Sequence, residues 1–240
     1  LSLQNQSYKN WSVIFVDGNS NKSHIRFLKE LCLRDKRFIY LKQNNKNKGI
    51  FGAMNQGLEL IDKNSWILFW GSDDWANGFD TFDLINKYLI KLSYLNLDLI
   101  ICKGKYLKIN GDFYKNTSFA NFINNKKINL SEYKKLLFCG LTPPHQTTLL
   151  HSRIFSKKYK YNDNYQIAGD LNFFCRLCTK KRISAYLLNL NIVSMSCGGI
   201  SSKNHIKRFN EVKKSYIMLF NKLYFIPFFL RYFLKIMKIK

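Results

Sequence analysis

Two adjacent carboxylates, Asp73 and Asp74, close the stretch "SWILFWGSDDW", and a third, Asp17, closes "WSVIFVD". Each follows a run of apolar, β-branched and aromatic residues that predicts a buried strand. Vicinal carboxylates at a strand end repel one another unless a cation lies between or beside them, and hard divalent ions such as Mn2+ and Mg2+ take carboxylate oxygens. A site for a divalent cation and a diphosphate accounts for both acids. Capping of a following helix, for which Asp is well suited, is the other reading.

The elements that must position these acids follow from periodicity. "WSVIFVD" is a strand, "HIRFLKELCL" has helical spacing, "RFIYLK" returns to strand pattern, "IFGAMNQGLELI" is a second helix and "SWILFW" a third strand. Strand, helix, strand, helix, strand predicts an α/β fold on a mostly parallel sheet with helical crossovers, and such sheets collect ligands at the carboxyl ends of their strands. Further on, "FDTFDLINKYLIKL" predicts a helix, "LDLIIC" a strand, and "KYLKINGDFYKN" a hairpin turning at Asn110-Gly111. Residues 115–138, rich in Asn and Lys, read as a mobile loop with a short helix. "PPHQTTLLHS" reads as a strand and "YNDNYQIAGDLNFFCRLCTKK" as a loop feeding a helix. The opening "LSLQNQSYKNW" reads as the last turn of a helix whose beginning is absent.

Composition sets the partners. The 240 residues carry 39 Lys and Arg against 15 Asp and Glu, a formal charge of +24, so the partner is anionic: nucleic acid, a phosphorylated substrate or an acidic membrane surface. Recognised nucleic-acid motifs are missing and the basic residues are spread along the chain, which excludes nucleic acid as the favoured partner. Six cysteines lack a regular framework and point to reduced thiols, with Cys175 and Cys178 expected in core packing rather than metal or redox work. Residues 1–202 form the predicted globular domain. Residues 203–240 hold ten Lys and Arg against Glu211 alone, interleaved with aromatic clusters. That pattern predicts a basic amphipathic tail, lying either on an anionic membrane surface or on the core.

The segments "NQSYKNWSVIFVDGNSN", "GAMNQGLEL", "WILFWGSDDW", "HQTTLLHSRIF" and "IAGDLNFFCRL" occur in order and spacing over roughly residues 1–200. They resemble family 2 glycosyltransferases of the GT-A fold, in particular the bacterial enzymes of polysaccharide and lipopolysaccharide assembly. The resemblance implies transfer of a sugar from a nucleoside diphosphate sugar to a glycan or lipid-linked hydroxyl, metal-dependent and inverting, at the cytoplasmic face of the membrane. It implies that Asp17 lies near the base or ribose, Asp74 holds the metal, and Asp73 lies near the ribose or donor sugar. Lys48 would help with the diphosphate, Asp170 would be the general base, and His145 and Gln146 would lie on the acceptor side. Turn anchoring for Asp17, helix capping for Asp170, a loop-backbone bond for His145 and a solvated surface place for Lys48 are the structural alternatives. The sequence departs from this family at Gly18 and Gly52, where relatives carry acids, and it lacks their N-terminal strand. A nucleotidyltransferase and a non-catalytic binding relative are the rival classes, the first lacking a GxGxxG loop after the first strand.

Overall fold

A computed structural model gives the fold and describes residues 2–44, 46, 48–108, 110–117, 119–197 and 204–236. The chain runs β1 (Val13–Asp17), α1 (Lys22–Arg34), β2 (Phe38–Lys42), α2 (Gly49–Leu58), β3 (Trp66–Ile67), β4 (Asp74–Ala76), α3 (Thr81–Lys91), β5 (Leu99–Leu107) and β6 (Phe113–Asn116). It continues through β7 (Lys126–Asn129), α4 (Leu130–Phe138), β8 (Thr148–His151), α5 (Gly169–Leu177), β9 (Ser184–Ser196), α6 (His205–Phe220) and α7 (Phe225–Ile236). The expected α/β class holds. β1 and β2 pair in parallel, and a seven-stranded sheet runs β3-β8-β5-β9-β4, with β6 on β5 and β7 on β9.

Strand directions are more mixed than the apolar runs imply. In the larger sheet β5 and β9 are parallel and the remaining pairings antiparallel. The long β5 and β9 form its centre, and their alternate side chains serve two cores. Leu99, Ile101, Ala185 and Leu187 face a cluster completed by α2, α4, α5 and α6, while Ile100, Cys102, Leu188 and Met195 face one completed by Ile85 and Leu92. A sheet buried on both faces needs apolar residues at odd and even positions alike, which is why β5 shows no alternation in sequence. β1, apolar throughout, is only half-buried from Val13 to Val16.

Three segments depart from expectation. The third strand pairs only at Trp66–Ile67, because Phe69 stacks on His145 at 5.2 Å and the Trp70 indole donates to the Gln146 carbonyl at 2.8 Å. Residues 115–138 hold the expected short helix, α4, but the end of β6 and all of β7 replace much of the loop, and Phe119, Tyr133 and Leu137 are fully buried. A capping box starts α4: Asn129 accepts from the Glu132 amide while Glu132 accepts from the Asn129 amide. Residues 2–5 form a turn. There buried Gln6 donates to the Gly78 carbonyl and accepts from the Phe82 amide. Cys175 and Cys178 are free thiols buried in the core, as expected.

Candidate active site

Asp73 and Asp74 lie in a tight turn. The Asp74 amide donates to the Gly71 carbonyl, and the Gly71 amide donates back to the Asp74 carboxylate at 2.6 Å. Asp74 then opens β4, opposite Met195 near the carboxyl end of β9. The helix-capping reading of this pair fails, since α3 begins only at Thr81. Both carboxylates turn toward Gly71: a methyl group there would sit 2.7 Å from Asp73 Oδ1 and 3.4 Å from Asp74 Oδ2. The two carboxylates thus meet in one small space beside Gly71, Asp73 exposed and Asp74 half-buried.

That space is costly for negative charge. Burial pushes the Asp74 carboxyl up to about 6; the Gly71 amide opposes this and Asp73 adds to it. The unfolded chain ionises Asp74 near 3.8, so the folded state pays an increasing penalty from about pH 4 to pH 6 and keeps it above. Asp74→Asn is therefore expected to stabilise the cation-free protein by about 1–3 kcal/mol near neutral pH and to change little near pH 4. Thermal melts at the two pH values check this. Equal destabilisation at both would show the carboxylate to be structural.

The donor chemistry here is hard oxygen, and a divalent cation suits it. Among the described residues no group of three or more His, Cys, Asp and Glu could enclose a metal alone. Asp73 and Asp74 would supply part of a coordination shell, with phosphate oxygens and water completing it.

Asp170 lies in the first turn of α5, where its carboxylate accepts from the Leu171 amide at 2.7 Å. It is not the N-cap. Ala168 occupies that position, and the backbone entering the helix is satisfied from α6: Glu211 accepts from the amides of Gln166, Ile167 and Ala168 at 2.7–2.9 Å. A distant acid thus fixes the loop that leads into the helix.

His145 is buried, with Nε2 sharing a 2.7 Å hydrogen bond with the Tyr161 hydroxyl. Tyr161 is fixed in turn by reciprocal bonds between its backbone and the Asn55 amide side chain at 2.8 and 2.9 Å. Burial lowers the His145 pKa, and nearby Asp170 opposes without reversing it. His145 therefore bonds a side chain and not the loop backbone. Gln146 is half-buried, its carbonyl held by Trp70.

Asp17 ends β1 as expected. Burial works against its charge, but hydrogen bonds from Ser20, Asn19 and Tyr40 outweigh that and hold its carboxyl below the usual range. Lys48 is exposed and precedes α2 without capping it. Among the described residues no hydrogen bond or ion pair joins Asp17 or Lys48 to Asp73, Asp74 or Asp170.

Tyr106 is a site residue that sequence reasoning did not single out. In the sheet it lies opposite Met195, which lies opposite Asp74, so the three form one row across β5, β9 and β4. Burial raises its phenol pKa, and the Asp74 and Asp170 charges raise it further. Tyr106 thus lies within the field of both carboxylates, at the carboxyl ends of two parallel strands. The signal for it is sheet register, which a single sequence does not carry.

A family sequence model described as "Glycosyl transferase family 2" matches residues 1–144. The chain belongs to that family. It is 26% identical over 180 residues to an uncharacterized glycosyltransferase of Methanocaldococcus jannaschii, covering 73% of this chain and 57% of that protein. It is also 27% identical over 138 residues to glycosyltransferase GlyA of Streptococcus pneumoniae, covering 56% of this chain and 18% of that protein. The chain thus spans only part of the length of these relatives. Among solved structures, S. aureus TarS 1–349 superposes with a TM-score of 0.64 at 15% identity, over 92% of this chain and 60% of that one. The same protein in complex with UDP gives 0.63 at 16% identity over the same shares. The fold is that of the GT-A glycosyltransferases.

Proposed function

We propose that this chain transfers a sugar from a nucleoside diphosphate sugar to an acceptor hydroxyl, with inversion and with a divalent cation. The observation that carries the proposal is the shared carboxylate space of Asp73 and Asp74 beside Gly71, placed at the carboxyl ends of β5 and β9 within the same field as Asp170. The UDP complex of TarS supports a uridine or related nucleotide as the donor's leaving group.

In this reading Asp74, with Asp73, would hold Mn2+ or Mg2+, which would act as a Lewis acid toward the leaving diphosphate. Asp170 takes the proton of the acceptor hydroxyl as its oxygen attacks the anomeric carbon. The bond from that carbon to the diphosphate oxygen breaks, and the diphosphate leaves with the electron pair. One displacement at one face inverts the anomeric configuration. Asp17 and Lys48 serve the nucleotide, and Gln146 lies toward the acceptor. His145 acts indirectly, by fixing the Tyr161 hydroxyl within the field of Asp170. The acceptor is a glycan or a lipid-linked saccharide of cell-surface polysaccharide assembly, consistent with the chain's excess of basic residues.

Calorimetric titration of UDP into the protein tests the site. Binding is expected with Mn2+ and loss of binding with chelator; equal affinity in both would remove the cation from the proposal.

A further inference from the structure

The C-terminal segment has two faces with different fates. On α6, Val212, Ser215 and Tyr216 are buried, and α7 turns Phe228 and Tyr232 inward against Phe209 and the core. The neighbouring stripe of α7 leaves Phe225, Phe229 and Phe233 exposed at 57%, 64% and 41%, spaced four residues apart. The Phe229 and Phe233 rings stack at 5.6 Å. Ile217, Met218 and Leu223, near the end of α6 and in the turn that follows it, are exposed as well.

Cations lie on the same segment. Lys213, Lys214 and Lys222 are exposed, and Lys213 Nζ lies 5.6 Å from the centre of the Tyr224 ring, itself edge-on to Phe225. Glu211, the one acid between residues 203 and 240, is buried and committed to three backbone amides. The outward face of this segment therefore carries positive charge and aromatic surface without a compensating carboxylate of its own. No helix among the described residues is long and apolar enough to cross a bilayer.

We propose that this face is a docking surface for an anionic lipid bilayer, with Phe225, Phe229 and Phe233 entering the headgroup–acyl boundary and Lys213, Lys214 and Lys222 meeting lipid phosphates. An anionic lipid interface takes both features together, apolar rings at the acyl boundary and cations at the headgroups. The aromatic stripe supplies apolar area, while the lysines keep their charge at headgroup depth. This surface stands independently of the sugar-transfer reading, since none of its residues belongs to the candidate active site.

The test uses the full chain and vesicles of phosphatidylglycerol mixed with phosphatidylcholine, against phosphatidylcholine alone. The protein is expected to sediment with the mixed vesicles at low salt and to be released at high salt. The triple variant Phe225→Ser, Phe229→Ser, Phe233→Ser should weaken binding on the order of tenfold or more. The triple variant Lys213→Glu, Lys214→Glu, Lys222→Glu should weaken it on the order of a hundredfold. Both substitute exposed side chains, and unchanged circular dichroism melts would verify that the fold is kept. Binding that is absent, equal on both vesicle types, or unaffected by either variant would overturn the proposal. So would a concentration-dependent dimer that the Phe variant breaks in the absence of vesicle binding, which would make the occupant a second copy.

Discussion

Asp170→Asn is expected to leave nucleotide affinity within a few-fold of the parent and to slow sugar transfer by about a hundred- to ten-thousandfold, the scale of general-base catalysis. The separation follows from the geometry. Ala168, not Asp170, is the N-cap of α5, and Glu211 holds the amides of Gln166, Ile167 and Ala168 from another helix. Asn at 170 can still accept from the Leu171 amide, so the first turn keeps its bond. What is lost is a group able to take a proton. Glu211→Gln should behave in the opposite sense, since an amide accepts these bonds less well than a carboxylate; it should lower stability and disturb α5 as a whole. Transfer rates and nucleotide titrations on the two variants distinguish base from scaffold. A collapse of nucleotide affinity in Asp170→Asn would place that carboxylate in binding instead.

Deleting residues 216–240 is expected to abolish cooperative folding. The sequence allowed the tail to lie on a membrane as a separable segment, but Tyr216 is fully buried, and Phe220, Tyr224, Phe228 and Tyr232 pack on the main core. Removing one such large aromatic costs about 3–5 kcal/mol, and a domain holds only about 5–15 kcal/mol in total. The seam is also tight. Gly140 has φ +76, and a methyl group there would sit 2.5 Å from the Arg231 backbone nitrogen, so α7 comes as close to the end of α4 as a glycine permits. Arg231 reaches across this seam to the Thr142 hydroxyl and lies beside Tyr216. Circular dichroism melts of the shortened chain check the expectation, and a transition near that of the full chain would contradict it.

The parts of the molecule that were legible are those whose order is local. β1, α1, β2 and α2 follow from local residue pattern, and the Asn110-Gly111 turn of the β5–β6 hairpin from its residue types, Gly111 having φ +88. β7 was hidden, and α4 legible only as a short helix, because Lys and Asn dominate residues 124–135 and the buried residues, Ile128, Tyr133 and Leu137, are too sparse to show a period. The acids at strand ends could be found because their placement is local as well. Tyr106 could not, since it meets Asp74 only through the register of β4 on β9 and β9 on β5. Glu211 was likewise invisible, being an ordinary charge in a basic tail until α6 folds against the entry to α5. His145 was found for its place in a pattern, and the structure gives it a supporting bond to Tyr161.

The central claim is that Asp73 and Asp74 serve a cation-dependent nucleoside diphosphate sugar site. It is tested most directly by nucleoside diphosphate release from a panel of donor sugars, with Mn2+ and with chelator, in the parent protein and in Asp74→Asn. Release is expected from at least one donor with the cation present, and it should vanish both with chelator and in the variant. Release that survives both treatments, or that Asp74→Asn leaves at the parent rate, would contradict the account.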